Sequence, residues 1–600
     1  MMTTDRRTFV KTAGLAAGSL AAANISGSAA GIFGSTPVAA SSEEHLKPSR
    51  INSKGLNILF IFTDQERYFH KWPTGFSLPG RERLQQTGVT FKNHYCPATM
   101  CTSSRSVLMT GQTTPNNKMF ENLDLPWIKA LSTDIPTIGH MLRKAGYYTA
   151  YKGKWHLTGG DFDVAEPEKL INKEMEAYGF ADYNGIGDLV GHQLGGYRFD
   201  HLIAGSAITW LRNKGKPLNE DGKPWSLTVS LVNPHDVMYF NTDAPGEKVQ
   251  DVGRQMKRAT VAPDHAWYKK EWDMPVPASL QQPLKAAGRP GAHSEFLRVW
   301  DYVLGHVPLE AERWKRLNNF YLNSIRAVDL QMLSILNELD ALGLSERTVI
   351  VFTSDHGEMG GAHGGMRGKG PTPYEECTHL PLHIVHPDVR GGQETSALSG
   401  HIDIAPTLLS FAGVKPGQVG EIAGKELPGK DLSAVLQKPG TAPPNAVREA
   451  ALFTYSGLFA NDGDFFGEVL KGVAGGKDLT TAFKTSGQPD LKKRGTLRTA
   501  ADGRYKFTRY FAPTQHNMPK TYDELYQNND VELYDLESDP GEMTNLAAVK
   551  GQNKELVMSM NTKLNNVIKD EIGADDGREM PDVKGISWAI KTKNGEALLD

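Results

Sequence analysis

Residues 57–64 read NILFIFTD, an unbroken apolar run that ends in an acid. Such a run is typical of a central parallel strand that is buried on both faces. Comparable runs occur at residues 226–232, 348–352 and 380–385, and helical patterns lie between them. The clearest helical pattern places apolar residues three and four apart over residues 321–339, just before a glycine. The sequence therefore predicts an α/β fold, in which a mainly parallel sheet is sandwiched by helices.

The carboxyl ends of parallel strands meet at one edge of a sheet, where α/β proteins place their chemistry. Asp64 ends the first apolar run, His235 follows the second, and the pair Asp355-His356 follows the third. Lys369 lies further along in a glycine-rich loop. Each of these residues alone is more often structural or solvated, but we expect the whole set to form one site.

The composition excludes several classes of protein. In 600 residues, 66 lysines and arginines nearly balance 69 acids, which argues against a nucleic-acid binder that relies on overall positive charge. No apolar run approaches the roughly 18 residues of a membrane-spanning helix, so we expect no stable membrane anchor. The three cysteines, Cys96, Cys101 and Cys377, are too few for a disulfide framework, which leaves each of them available for reaction.

The N-terminus has the features of an export signal. Residues 5–11 read DRRTFVK, and a weakly apolar stretch at residues 13–23 follows them. This pattern resembles a twin-arginine signal with a small-residue cleavage site at residues 38–40. The twin-arginine translocase exports folded proteins, so we expect a periplasmic or secreted protein that acquires its modified groups before export.

The patterns divide the chain into three segments. Residues 1–40 are the expected signal, residues 41–440 the catalytic domain, and residues 441–600 a C-terminal subdomain. Proline, lysine and tryptophan are frequent over about residues 240–316, which we interpret as an insertion on the catalytic side. Beyond residue 440, short strand-like segments and one amphipathic stretch predict a smaller antiparallel sheet with a helix.

A short helical segment begins near Cys101 and stops at a glycine. Ser103 or Ser104 is able to cap its first turn, which would place Cys101 among free N–H groups that favour an anion. Arg105, one turn later, returns to the same face. Taken alone, Cys-x-x-x-Arg more often marks a buried small side chain beside a surface arginine. The other motifs of the chain therefore determine whether Cys101 is interpreted as a functional residue.

Lys154 and His156 follow a predicted strand at residues 147–152. In an extended chain these two side chains project to the same face. Together they are able to hold a tetrahedral oxyanion.

Taken in order, these motifs resemble those of the sulfatase family of the alkaline phosphatase superfamily. The matching segments are residues 57–64, 83–93, 101–105, 153–157, 353–358, Lys369 with 374–376, and 532–536 with 539–542. The resemblance implies an alkaline phosphatase-like fold and an exported sulfatase that hydrolyses a small-molecule or saccharide sulfate ester. It also implies that a formylglycine-generating enzyme oxidises Cys101 to formylglycine (3-oxoalanine), whose hydrate is the nucleophile.

The aldehyde has a chemical advantage over a serine. A serine that attacks a sulfate ester would remain sulfated, whereas a hydrated aldehyde expels sulfate through its second hydroxyl. By resemblance, Arg105 and Lys154 hold the formylglycine and the anion, and Lys369 contacts the sulfate. His156 assists the release of sulfate, and His235 protonates the leaving group.

The resemblance implies one divalent metal ion, held by Asp64, Gln65, Asp355, His356 and an oxygen on modified Cys101. The family's usual site pairs two adjacent aspartates with an Asp-Asn pair, and the pattern seen here resembles choline sulfatases and phosphonate monoester hydrolases. Oxygen ligands suit Ca²⁺, whereas the imidazole of His356 moves the preference towards Mn²⁺ or Zn²⁺. Without a cation, the converging carboxylates would raise one another's pKa.

Several alternatives stay open at this level. Ser103 stands where the maturation motif normally carries proline or alanine, and an unconverted Cys101 would leave a metal-bound thiolate or a silent anion binder. A phosphonate monoester or phosphodiester hydrolase with the same nucleophile is the alternative activity. A noncatalytic protein that binds sulfated glycans is the alternative of another class. Residues 68–72 either line an aromatic or sugar-binding wall or pack on the core.

Overall fold

The main sheet has seven strands within the residues that the structure describes. A computed structural model describes residues 55–125, 127–158, 174–183, 193–250, 259–580, 583–584 and 587–588. The strands are β1 Asn57–Asp64, β2 Val89–Tyr95, β3 Tyr148–Gly153, β4 Trp225–Pro234, β5 Thr348–Ser354, β6 His379–Val385 and β7 Gln393–Gly400. Across the sheet they follow the order β3-β4-β1-β5-β6-β2-β7.

β1 lies at the centre of the sheet, as its apolar run predicts. All eight of its residues are buried, and it pairs in parallel with β4 on one side and with β5 on the other. β3 extends the parallel part beyond β4, and β7 runs parallel to β2. These pairings confirm a mostly parallel sheet, with the carboxyl ends of β4, β1 and β5 side by side.

β6 departs from that pattern, because it runs antiparallel to both β5 and β2. Residues 355–378, which connect β5 to β6, contain the short helices Ala362–Gly365 and Glu375–Thr378 but no crossover helix. A parallel neighbour needs a crossover connection, so the chain returns in the opposite direction. The apolar run at residues 380–385 predicts this strand but does not determine its direction.

Helices pack on both faces of the main sheet. Over the whole described part of the chain, the helices of seven or more residues are α1 Pro79–Thr87, α2 Cys101–Thr110, α3 Ile138–Lys144, α4 Gly195–Trp210, α5 Gly291–Leu304, α6 Ala311–Ala341, α7 Ile404–Phe411, α8 Gly463–Ala474, α9 Leu479–Thr485, α10 Tyr522–Asn528 and α11 Lys554–Glu571. Alternate residues of β1 belong to two hydrophobic clusters, one with α4 and α6 and the other with α2, α3 and α7. α6 buries one side of its length and confirms the pattern predicted over residues 321–339.

A second sheet, in the C-terminal part of the chain, is antiparallel. Its strands are β8 Ala451–Tyr455, β9 Thr496–Ala501, β10 Tyr505–Phe511 and β11 Asp530–Asp535, in the order β11-β10-β9-β8. Leu564 and Ile568 of α11 share a hydrophobic cluster with Phe507 and Leu533 of the sheet. The small antiparallel sheet with a helix is therefore confirmed.

The buried side chain of Glu532 joins the second sheet to the loop before β6. Its carboxylate accepts hydrogen bonds from the hydroxyls of Tyr374, Tyr510 and Tyr534 at 2.9, 2.7 and 2.8 Å. Each of these buried hydroxyls would cost about 1 to 3 kcal/mol if it lost its acceptor. The C-terminal sheet thus holds the chain that leads from the glycine-rich loop into the main sheet.

The segment at about residues 240–316, where periodicity is weak, contains the helix α5. Phe296 and Trp300 of this helix are buried. Both rings lie so close to residues 368–370 that a Cβ added at Gly368 or Gly370 would touch them. α5 therefore supports the loop that carries Lys369.

The expected signal at residues 1–40 lies outside the described residues. Among the residues that the structure does describe, no helix combines the length and the apolar character needed to cross a membrane. The boundaries of the three predicted segments stay predictions.

Candidate active site

The polar residues at the strand ends meet at one edge of the main sheet. Asp64 ends β1, Asp355 and His356 follow β5, and His235 follows β4. All four are buried, and the most exposed of them, His235, is 6% accessible. Because β4, β1 and β5 are neighbours, the structure brings these residues together as their positions predict.

Cys101 is the first residue of α2 and is only 1% exposed. The prediction that Ser103 or Ser104 caps this helix is wrong, because the helix begins directly after Met100, whose φ is 81°, and no side chain caps it. Ser104 instead donates its hydroxyl to the backbone oxygen of Asp355. This bond ties α2 to the loop after β5.

Arg105 holds the two site aspartates in place. Its Nε donates to Asp355 at 2.9 Å, and one terminal nitrogen donates to Asp64 at 2.8 Å. The other terminal nitrogen donates to Ser230 Oγ at 2.7 Å and to the backbone oxygen of Lys154 at 2.8 Å. These bonds engage most of the five N–H groups of an arginine, so Arg105 positions the acids and has little left for a bound anion.

Donor atoms suited to a divalent cation converge on Cys101. One atom each from Asp64, Cys101, Asp355 and His356 lies within 4.8 Å of the others, and all four residues are buried. His356 Nδ1 lies 3.1 Å from the backbone oxygen of Gly357, which only accepts, so Nδ1 carries the proton. Nε2, which lies 3.4 Å from Cys101 Sγ and 3.5 Å from Asp355, is then the nitrogen that would bind a cation after losing any proton. Metal-binding imidazoles are commonly oriented in this way, so the donor set fits a divalent cation.

Gln65 lies beside this group, with a φ of 73°. Its Oε1 accepts a hydrogen bond from Lys369 Nζ at 2.7 Å, and its Nε2 donates to Glu358. Glu358 also accepts from the backbone nitrogen of Gly368 at 2.8 Å. Glu358 therefore fixes both Gln65 and the loop that carries Lys369, although the sequence assigns it no role.

Two lysines face the sulfur atom of Cys101. Lys369 Nζ lies 3.2 Å from Sγ, and Lys154 Nζ lies 3.7 Å from Sγ and 2.6 Å from Asp64. Burial raises the pKa of the Cys101 thiol. The charges of Lys154, Lys369 and His356 lower it by a larger amount, so the pKa lies well below the usual value of a cysteine. Position 101 therefore stabilises a negative charge.

The chain after β3 does not follow the extended path that the sequence suggests. β3 ends at Gly153, whose φ is 90°, and His156 has a φ of 56°. A Cβ added at Gly153 would lie 2.0 Å from the backbone oxygen of Ser230, so only glycine fits there. Lys154 and His156 thus reach Cys101 through two left-handed backbone positions rather than by alternation along a strand.

His156 and His235 both face Cys101 but differ in their tendency to be protonated. Burial lowers the pKa of His235 to about 4, and the two neighbouring lysines act in the same direction. His235 is therefore neutral near pH 7 in the ligand-free site. Burial also lowers the pKa of His156, but Asp124 and Cys101 raise it by more, so the net shift is upward. Asp124, which no motif identifies, lies 3.7 Å from His156.

The aromatic residues after Asp64 contact other parts of the protein. The Trp72 ring lies 4.4 Å from that of Phe69 and 4.8 Å from that of Phe76, measured between ring centres. Tyr68 stacks on His379 at 4.2 Å. These contacts favour packing on the core over a wall beside Cys101.

Comparison with protein families identifies the chain. The sulfatase family model matches residues 56–414, which is more than half of the chain. The chain belongs to the sulfatase family. This sulfatase is a hydrolase of sulfuric esters. The family generally uses a metal ion and formylglycine, and the residues around Cys101 form a possible metal-binding group.

A curated relative is also a sulfatase, and two solved structures share the fold. The sulfatase is 26% identical over 450 residues to N-acetylglucosamine-6-O-sulfatase of Bacteroides thetaiotaomicron, covering 68% of this chain and 75% of that relative. A protein solved with its substrate D-glucosamine-2-N,6-O-disulfate matches with a TM-score of 0.58 at 20% identity, over 87% of this chain and 99% of that one. The phosphonate monoester hydrolase of Agrobacterium radiobacter matches with a TM-score of 0.56 at 20% identity, over 86% and 96%. The alkaline phosphatase-like fold is confirmed.

Substitutions in the donor group should alter cation binding. Asp355→Asn removes a full negative charge, so we expect the sulfatase, once stripped by a chelator, to bind its divalent cation at least about 10-fold more weakly. His356→Asn replaces a nitrogen ligand by oxygen and should shift the preference from Mn²⁺ or Zn²⁺ towards Ca²⁺. Elemental analysis and titration with each metal measure both effects, with Asp388→Asn, at an exposed acid, as the control. Full activity of stripped protein, or an unchanged order of preference in His356→Asn, would show that His356 is not a ligand and would leave a site built around the two aspartates.

Proposed function

We propose that this sulfatase hydrolyses a sulfate ester through a formylglycine that a formylglycine-generating enzyme makes from Cys101. One observation carries the proposal: the side chain at position 101 lies between a metal-binding donor group and two lysines, at the start of a helix. Fixed cationic groups on several sides of one position suit a tetrahedral anion. The hydrated aldehyde supplies one hydroxyl to attack sulfur and a second that allows sulfate to leave.

Lys154 and Lys369 bind the sulfate oxygens in this proposal. Both lysines are 1% exposed, so their charges act in surroundings where they are worth more than in water. Asp64 orients Lys154 at 2.6 Å, and Gln65 orients Lys369 at 2.7 Å. Two preorganised cations therefore face the atom where the nucleophile is made.

His156 and His235 divide the proton transfers. His156, held by Asp124, takes a proton from the side chain at position 101 as sulfate leaves, and its raised pKa makes the neutral imidazole a better base. His235 gives a proton to the leaving oxygen. Its pKa rises from about 4 when a bound sulfate ester offsets the positive charge of the neighbouring lysines.

A divalent cation held by Asp64, Gln65, Asp355 and His356 would activate the hydroxyl at position 101 and draw charge from the sulfate. Ca²⁺ suits the oxygen donors, and the nitrogen of His356 also admits Mn²⁺ or Zn²⁺. The chain's own part is to aim both carboxylates inward, which Arg105 does through its paired hydrogen bonds. Burial and Asp64 raise the pKa of Asp355 in the metal-free site, and the charge of Arg105 opposes that rise.

We propose a sulfated saccharide or another small sulfate ester as the substrate. The relative N-acetylglucosamine-6-O-sulfatase matches 68% of this chain, and a protein of the same fold was solved with glucosamine disulfate. A phosphonate monoester hydrolase also shares the fold, and both ester types are tetrahedral anions, so phosphonate ester hydrolysis is the alternative. Assays with nitrophenyl sulfate and a phenyl phosphonate ester separate the two activities. Binding of a sulfated glycan without either activity would indicate a noncatalytic protein.

Mass spectrometry of the peptide that carries Cys101 tests the nucleophile. We expect active protein to contain formylglycine at this position. Cys101→Ser, made in a host that converts only cysteine, should be inactive or nearly so, because a plain hydroxyl does not release sulfate. Cys96→Ala, at another buried cysteine, is the matched control and should keep its activity. Fully active protein that carries only an unmodified thiol would overturn the mechanism.

Leaving-group dependence tests the role of His235. His235→Ala should reduce kcat by about 10² to 10⁴ on an alkyl or saccharide sulfate, whose leaving oxygen needs a proton. The loss should be much smaller with nitrophenyl sulfate, whose leaving group needs none. His156→Ala is the matched comparison and should lose rate on both substrates. Equal losses of His235→Ala on both substrates would leave His235 as a positioning residue.

Export by the twin-arginine translocase to the periplasm or medium is proposed from residues 5–11. The double substitution Arg6→Lys with Arg7→Lys should retain the protein in the cytoplasm, because the arginine pair is the recognised feature. Cell fractionation and immunoblotting measure this, with Lys11→Arg as the control. Export of the double variant at the level of the unaltered protein would point to another route.

A further inference from the structure

Another group of potential metal ligands lies where the loop after β5 meets the C-terminal sheet. Donor atoms of His363, Glu376 and Glu542 lie within 4.8 Å of one another. His363 is 0% exposed and Glu542 is 1% exposed, whereas the side chain of Glu376 keeps 20% of its accessible surface. The group is therefore buried but opens to solvent at Glu376.

The hydrogen bonds around His363 determine which ring nitrogen carries a proton. A terminal nitrogen of Arg289 donates to Gln282 Oε1 at 2.7 Å, and because arginine only donates, that atom must be an oxygen. Nδ1 of His363 lies 3.0 Å from the same oxygen, so Nδ1 is protonated. Nε2 has no hydrogen-bond partner and lies 3.7 Å from Glu376 Oε2. Whenever the imidazole is neutral, Nε2 is therefore the ring nitrogen without a proton, and it points at a carboxylate.

The surrounding charges leave room for a cation. Lys506 lies 2.6 Å from Glu375 and 3.1 Å from Glu542, and His379 lies 2.6 Å from Glu375. Glu375 therefore has the closer contact with Lys506, whereas Glu542 shares that charge and Glu376 faces Nε2 of His363 and the charge of Arg67. A lone pair that faces carboxylates is repelled, and a cation placed between them converts the repulsion into coordination.

We infer that Nε2 of His363 and the carboxylates of Glu376 and Glu542 bind a Zn²⁺ ion. Zn²⁺ takes imidazole and carboxylate ligands at about 2.0 to 2.2 Å, which places tetrahedral ligands about 3.4 Å apart. The 3.7 Å between His363 and Glu376 needs only a small contraction to reach that spacing. Gln282 supplies the acceptor that orients a metal-binding imidazole, and Ca²⁺, which takes oxygen ligands, suits this set less well.

The ion joins two of the segments that match sulfatase motifs. Neither segment has a role in the proposed reaction. Glu376 belongs to the motif at residues 374–376, and Glu542 to the motif at residues 539–542. One lies in the connection that also carries Lys369, and the other follows β11 of the C-terminal sheet. Zn²⁺ at this joint stabilises the packing between them and is separate from the group around Cys101.

Three substitutions test this site. His363→Asn removes Nε2, while asparagine tolerates the φ of 55° at this position and keeps a donor for Gln282. Glu376→Gln removes one ligand at the partly exposed edge, where the fold is least at risk. Glu394→Gln, at an exposed acid paired with Lys92, is the matched control.

Each full-length protein is first saturated with its catalytic cation, then dialysed against dilute ZnCl₂, and its zinc content is measured by elemental analysis. The unaltered protein and Glu394→Gln should hold one more zinc equivalent than His363→Asn and Glu376→Gln. Zn²⁺ should also raise the melting temperature of the first two proteins only. Anomalous diffraction at the zinc edge should show a peak beside His363 Nε2.

Equal zinc content in all four proteins, or no anomalous peak beside His363, would overturn the inference and leave a protonated imidazole between the two carboxylates. Hydrolysis of nitrophenyl sulfate by the same preparations reports separately on the proposed function. A failure of either proposal is therefore distinguishable from a failure of the other.

Discussion

The site depends on the ionic clamp that Arg105 forms between Asp64 and Asp355. Two carboxylates at the ends of neighbouring strands repel each other when buried, and burial itself favours their neutral forms. Burial and Cys101 raise the pKa of Asp64, but the positive charges of Lys154 and Arg105 outweigh them, so the net pKa is lowered and this acid is ionised over the ordinary pH range. The clamp lets a buried edge of the sheet carry negative charge, which is what a divalent cation requires. Removal of one partner from such a buried pair costs about 3 to 5 kcal/mol.

The cationic half of the site depends on backbone conformation rather than on regular secondary structure. Gly153 and His156 have positive φ angles, as do Gln65 and Gly368. Residues with such angles change the direction of the chain within one or two positions, so side chains that leave different strand ends converge on Cys101. The strands form the rigid framework, and the turns after them orient the side chains towards Cys101. This division explains how Gln65, Lys154 and Lys369, which lie in turns rather than in a helix or strand, are held beside Cys101 and Asp64.

The C-terminal sheet contributes to the site without touching it. Glu532 gathers three tyrosine hydroxyls, one of them from Tyr374, and Lys506 pairs with Glu375. These contacts hold the chain between Lys369 and β6, and α5 packs against the same loop from another side. A buried carboxylate with all its hydrogen bonds made holds its partners in fixed positions, because moving any partner away leaves buried polar groups without a hydrogen bond. The position of Lys369 is thus determined by parts of the chain that lie far away in sequence.

The sequence by itself indicated five of the seven described strands of the main sheet, the long helix α6 and the strand-end positions of Asp64 and Asp355, because an apolar run or a helical period is visible in neighbouring residues. It did not indicate β2 or β7. The family motifs around Cys101 were equally local. The direction of β6, the uncapped start of α2 and the low pKa of His235 were decided only by the tertiary structure. So were the contacts of Asp124 and Glu358, which join residues from separate loops. Such features depend on which groups, distant in sequence, lie close together in the buried interior. The spacing of residues along the chain does not give those distances in space.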